Sequence, residues 1–125
     1  MGKRYLLDTN TVLDYMGNKL PGSAQIAISQ IIDDEINISA INKIELLGFF
    51  KVEQYLIDFV YCSNILPIDD GIIDKTIDLR RLYKIKLPDA IIAATALYNS
   101  FTLVTNNTKD FKNILELDVL NPYEL

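Results

Sequence analysis

Short apolar runs ending in turn formers alternate along this chain with longer stretches of helical spacing, and that alternation constrains the fold more than any other feature. KRYLLDTN reads as a buried strand with Asp8 at its C-terminal end; INIS, ILPI and FTLVT repeat the pattern, and LDVLN is a weaker last instance. Between them, one helix is predicted from about Thr11, and another after the Pro21-Gly22 break, where Ala24, Ile28, Ile31 and Ile32 lie near helical spacing. From Ala40 the pattern is again helical, with Ser39 as N-cap and Ile41, Ile44, Leu46 and Leu47 as its apolar face. Residues 52–64 predict a further helix, and Asp70 is expected to cap one whose apolar face includes Ile73, Ile77 and Leu82. Pro88 falls where a helix begins, which puts Asp89 in the first turn of AIIAATALYNS. This alternation over 125 residues, without a linker or repeat, predicts a single domain spanning residues 1–125. Its expected class is α/β, with three α/β/α layers and a mainly parallel central sheet. Ligands of such sheets bind beyond the carboxyl ends of the strands.

The chain contains no histidine, which removes Ser-His-Asp and Cys-His triads, His-based zinc sites and histidine acid–base cleavage of RNA. Chemistry must run on carboxylates, hydroxyls, amines or a metal. A formal charge of −5 argues against a broad basic surface coating nucleic acid, but leaves room for a small nucleic-acid site. The lone Cys62, in FVYCSNIL, excludes an internal disulfide and is expected to be a buried structural thiol. Apolar runs such as AIIAATAL are far shorter than the roughly 20 residues a membrane helix needs, and MGKRYLL lacks the features of a signal peptide, so a cytoplasmic protein without membrane association is expected.

Three acids stand apart from those that cap helices or sit on solvated faces. Asp8 ends the first strand, Glu45 lies within INKIELLGFF, and Asp89 precedes an almost wholly apolar helix. A carboxylate near a core is expensive unless it has a partner, a capping role or a metal. Taken singly, each also has a structural explanation: Asp8 as a turn former, Glu45 as an ion-pair partner of Lys43 or Lys51, and Asp89 as a helix-start residue favoured by the macrodipole.

Taken together and in order, YLLDTNTVLDY, SAINKIELLGFF, KLPDAIIAATAL and LVTNNTKDF resemble the PIN-domain nucleases, and closely the VapC-type toxins of bacterial toxin–antitoxin pairs. The resemblance runs from Tyr5 to Phe111. It implies a metal-dependent endoribonuclease in which Asp8, Glu45 and Asp89 match the three principal metal-site acids. The fourth position, often acidic in the family, is Asn107 here, with Asp110 three residues on as the substitute carboxylate; this departure weakens a second metal site. Asn10 and Thr105 fall where the family orients the acids or water by hydrogen bonds.

An all-carboxylate site without His or Cys independently suits Mg²⁺ or Mn²⁺ better than zinc or copper. Two such ions about 3.5 to 4 Å apart can activate water for in-line attack on a phosphodiester, and the expected products carry a 5′-phosphate and a 3′-hydroxyl. Clustered acids repel, so at least one is expected to have a raised pKa without metal. Asp8→Asn and Asp89→Asn are each expected to remove cleavage and leave folding intact.

The dense cationic cluster Arg80, Arg81, Lys84 and Lys86 immediately precedes Asp89 and is a candidate grip for RNA phosphates; the alternative is a solvated helix end favoured by the dipole. Tyr83 and Tyr98 can stack on bases or serve as core or dimer surface, and Phe49, Phe50 and Tyr55 are equally open. The resemblance implies a homodimer and a small antitoxin that lays a helix or strand over the groove. Two other readings stand beside the nuclease. DTNTV approximates the DxDx[TV] loop of aspartate-nucleophile phosphohydrolases, although Asn10 replaces its acid/base residue and the chain is short for that fold. Alternatively, the change at Asn107 leaves a PIN-fold module that binds RNA or an antitoxin without cutting.

Overall fold

The computed structural model describes residues 2–125. Its strands are β1 (Tyr5–Leu7), β2 (Asn37–Ser39), β3 (Asn64–Leu66), β4 (Thr102–Val104) and β5 (Val119–Leu120), and every pairing among them is parallel. The helices are α1 (Thr9–Met16), α2 (Gly22–Asp34), α3 (Ala40–Leu47), α4 (Gln54–Tyr61), α5 (Asp70–Leu82), α6 (Leu87–Tyr98) and the single turn α7 (Thr108–Phe111). A short 3₁₀ turn, Pro122–Glu124, packs near α2.

The three layers follow from consecutive apolar residues in the central strands. Side chains alternate faces along a strand, so adjacent Leu6 and Leu7 point to opposite sides, as do Leu103 and Val104. Leu6 and Leu103 are register partners and enter one core with Ile72, Leu79, Ile92 and Phe111. Leu7 and Val104 pair likewise and enter a second core with Val12, Ala24, Ile28 and Leu46. Helices therefore cover both faces, as continuous apolar strands of a parallel sheet require.

Hydrogen-bonded ladders join β1, β4 and β5 in that order and, separately, β2 with β3. The seam between β1 and β2 is bridged by a side chain: Asn37 Nδ2 donates to the Tyr5 carbonyl at 3.0 Å, while Asn37 Oδ1 accepts from Asn64 Nδ2 at 3.1 Å. Asn37 is buried. Asn37→Ala leaves both the carbonyl and the Asn64 amide without this partner, and a loss of about 1 to 3 kcal/mol is expected. Thermal unfolding should show a melting temperature lower by roughly 5 to 10 °C; an unchanged value would mean that water replaces the amide without penalty.

Several elements differ from the sequence expectations. The stretch 52–64 is not helical throughout: α4 ends at Tyr61, and Asn64 already belongs to β3. Asp69 rather than Asp70 caps α5, its side chain accepting from Ile72 N at 3.0 Å. The buried face of α5 is Ile72, Thr76 and Leu79, whereas Ile73, Ile77 and Leu82 are exposed. Adjacent isoleucines leave the helical phase ambiguous, and burial of Thr76 is tolerated because its hydroxyl donates to the Ile72 carbonyl at 2.7 Å. Cys62 is exposed, not buried, because it is the C-cap of α4 beyond the last buried residue of that helix, Val60. Among the described residues no helix is long and apolar enough to cross a membrane.

Candidate functional site

The site forms where two strand ends meet. Chain direction reverses its progress across the sheet between β1 and β4, and their carboxyl ends open the crevice that such a switch creates. Asp8 follows β1 and Thr105 follows β4; both are buried. The Asp8 backbone N–H donates to the Val104 carbonyl at 3.0 Å, which extends the ladder to the acid itself.

Both Asp8 oxygens are fully engaged. Oδ1 accepts from Thr9 N at 2.9 Å, capping α1, and from Asn42 Nδ2 at 3.1 Å. Oδ2 accepts from Thr105 Oγ1 at 2.8 Å and Asn10 Nδ2 at 3.2 Å. Two bonds to each oxygen fix the plane of this carboxylate. Asn10 also donates to Thr105 Oγ1 at 3.1 Å and accepts from Asn106 N at 3.1 Å, so both ends of its amide are specified.

Asn42 and Thr9 are site residues that spacing alone did not single out. Asn42 is fully buried on α3, where its Oδ1 accepts from Ser39 N at 2.9 Å and Ser39 Oγ at 2.8 Å in a capping box. Its amide hydrogens reach Asp8 and Thr9 Oγ1, the latter at 3.0 Å; Thr9 Oγ1 in turn donates to Glu45 Oε1 at 2.6 Å. A buried amide thus links two of the three acids. The legible signal was Ser39-x-x-Asn42 at a helix start, close to the S/T-x-x-E/Q capping pattern.

Glu45 sits at an exposed rim and not within a buried apolar face, since α3 buries Asn42 and Leu46 and leaves Ile44 outside. Its partner is Thr9, not a lysine; the one ion pair among the described residues is Arg4 with Glu35. Asp89 lies half-buried in the first turn of α6, where Pro88 occupies an early helical position. Asp8, Glu45, Asp89 and Asn107 all line one hollow of about 260 Å³, with Thr9 and Asn10. Burial first, and then the charges of Asp110, Asp8 and Glu45, push the Asp89 carboxyl above its ordinary value, against a smaller opposing pull from Lys86. Asp110 stands off the hollow on α7, its Oδ2 accepting from Asn107 Nδ2 at 2.9 Å.

A second hollow of about 430 Å³ shares Asp89 with the first and is lined by Arg80, Lys84, Lys86, Lys109, Asp110 and Asn113, with Ile85. Arg81 does not line it. Tyr83 packs against the core, whereas Tyr98 is exposed. Phe49, Phe50 and Tyr55 are exposed too.

Fold and site together define an α/β/α domain with an acid-lined crevice at the carboxyl ends of a parallel sheet. The chain belongs to the PIN domain family, whose pattern matches residues 5–116. Solved structures agree in fold over nearly the whole length. A chain of a toxin–antitoxin complex from Klebsiella pneumoniae is 34% identical, with 97% of this chain and 99% of that one covered and a TM-score of 0.75. A chain of VapBC2 from Rickettsia felis, solved bound to a DNA fragment from its promoter, is 28% identical with 94% and 97% covered and a TM-score of 0.76. One of VapBC-1 from nontypeable Haemophilus influenzae is 26% identical, with 94% and 97% covered and a TM-score of 0.75. No curated protein matches at a significant level.

Proposed function

We propose that this chain is a metal-dependent endoribonuclease acting in the cytoplasm as the toxin of a toxin–antitoxin pair. The observation that carries the reading is the convergence of Asp8, Glu45 and Asp89 on one hollow beside the sheet switch point, in a PIN domain similar to chains of toxin–antitoxin complexes.

The donor set fits a hard divalent cation: the acids around the crevice supply only oxygen, and beside burial, the chief cause of the raised Asp89 carboxyl, stands a repulsion from Asp110, Asp8 and Glu45 that a cation relieves. As they stand, no three of the described Asp, Glu or Cys side chains converge closely enough to share an ion. In this reading Asp8, Glu45 and Asp89, with Asp110 at the edge, hold Mg²⁺ or Mn²⁺. Once bound, the ion supplies charge stabilisation at the phosphodiester and acidifies water. The chain's own side chains do the positioning. Asn10, Asn42 and Thr105 fix the Asp8 carboxylate plane, Thr9 retains Glu45, and Asn107 retains Asp110. Arg80, Lys84 and Lys86 grip backbone phosphates next to the acids, and Arg81 lies outside their hollow. The exposed apolar residues Ile73 and Ile77 on α5, with Phe49, Phe50, Tyr55 and Tyr61, offer surface for a second copy and for the antitoxin.

The test is a cleavage time course on labelled total tRNA and a structured RNA, with Mg²⁺ or Mn²⁺ against EDTA. Metal-dependent cutting is expected. The spread of the acids favours one second reading, a module that binds RNA or an antitoxin without cutting; it predicts RNA binding with no cleavage under any metal. Metal should also raise the melting temperature. At 100-fold above Kd the gain is about 2.7 kcal/mol, a shift of roughly 5 to 15 °C, read by scanning fluorimetry against magnesium-free buffer. No shift at millimolar metal counts against metal binding.

A further inference from the structure

The second hollow is lined by cations from three parts of the chain. Arg80 and Lys84 come from the end of α5 and its following loop, Lys86 precedes α6, and Lys109 comes from α7, with Asn113 soon after it in the chain. Asp89 and Asp110 line the same hollow, yet none of the four cations forms an ion pair with either, since the one ion pair among the described residues is Arg4 with Glu35. Four cations against two carboxylates leave the hollow net positive, and a bound anion offsets that excess. The start of α6 points the same way: Lys86 is its N-cap, and no side chain caps the helix. Asp89 belongs to both hollows, so the cationic one is the direct continuation of the acidic one.

We propose that this hollow is a phosphate subsite for the backbone phosphate adjacent to the one cut, and that Lys109 completes it together with Arg80 and Lys84. The inference rests on the nuclease reading and deepens it. A single strand crossing the crevice places one phosphate over the acids and its neighbour among the four cations. Lys109 and Arg80, from separate elements, both hold that neighbour and thereby fix the strand's register. Arg81, although next to Arg80 in sequence, lies outside the hollow and takes no part.

The experiment is binding of a fluorescein-labelled single-stranded RNA decamer in EDTA, where cutting is suppressed, from 25 to 200 mM NaCl. Wild type is compared with Lys109→Ala, Arg80→Ala, Arg81→Ala and Lys19→Ala; Lys19 lines neither hollow. Removing one cation that neutralises a phosphate of a single strand makes the slope of log affinity against log salt shallower by about 0.7. Lys109→Ala and Arg80→Ala are expected to show that change and several-fold weaker binding at low salt, and Lys109→Arg to restore both. Arg81→Ala and Lys19→Ala should superpose on wild type. Lys109 is exposed, and unchanged circular dichroism melting confirms that the variant is folded. RNA binding in which Lys109→Ala superposes on Lys19→Ala overturns the subsite and leaves the nuclease reading standing. Absence of RNA binding by wild type in EDTA overturns the subsite, while metal-dependent cleavage decides the nuclease reading separately.

Discussion

Asp89→Asn is expected to lower metal-dependent RNA cleavage by at least about a hundredfold, in the range seen when one preorganised polar group is removed from an active site. The fold should survive. Asp89 lies half-buried at the start of α6, and none of the described side-chain hydrogen bonds uses its carboxylate, so the amide leaves no partner stranded. The substitution also removes a charge that Asp110, Asp8 and Glu45 oppose. A carboxyl pushed up in the folded state binds its proton more tightly there than in the unfolded chain. In metal-free wild type, Asp89 therefore contributes a loss of stability that begins as pH rises past the unfolded carboxyl value, about 3.9, and levels off above the folded one. Asp89→Asn should lack that contribution, and added metal should raise its melting temperature less than that of wild type. Melting curves from pH 4 to 7.5, with and without Mg²⁺, test this. Full cleavage by the purified variant would remove Asp89 from the chemistry.

Asp8→Asn is expected to behave differently, losing cleavage and stability together. Each Asp8 oxygen faces two donors, so an amide must turn its NH₂ toward a pair of them: Asn42 and Thr9 N on one side, Thr105 and Asn10 on the other. A buried donor opposed to donors costs about 1 to 3 kcal/mol for each unsatisfied group. The expected fall in melting temperature is roughly 10 °C, measured in EDTA so that loss of metal binding does not contribute. The two acids that look alike in the sequence are thereby separated: Asp89 answers mainly to the reaction, Asp8 to the reaction and the fold. Equal melting temperatures for Asp8→Asn and wild type would show that the network around Asp8 rearranges without penalty, and that Asp8 is held less tightly than its bonds imply.

Much of this was legible from local pattern. Paired apolar residues in the short strands, Leu6 with Leu7 and Leu103 with Val104, already carry the two-faced burial that makes a three-layer fold, and Pro88 already places Asp89 in the first turn of its helix. The order of Asp8, Glu45 and Asp89 carried the family, and residues 5–116 match it. These features are local in the chain, where spacing and turn chemistry act directly.

What spacing could not supply was phase and partnership. Ile72 and Ile73 are equally apolar, and packing against α6 and the sheet decides that Ile72 goes in and Ile73 stays out. Asn42 looks like a polar interruption of a helix until α3 is docked beside α1, where its amide meets Asp8 and Thr9 across 34 and 33 residues of chain. Lys109 lies far along the chain from Arg80, and only the folded chain brings the two into the lining of one hollow. Strand–helix order, the turn-bound position of each acid and the absence of any imidazole are properties of the linear chain. Which polar side chains hold those acids, and which cations line one hollow, came from packing in three dimensions, because hydrogen bonds and charges act over a few ångströms in space whatever separates the residues along the chain.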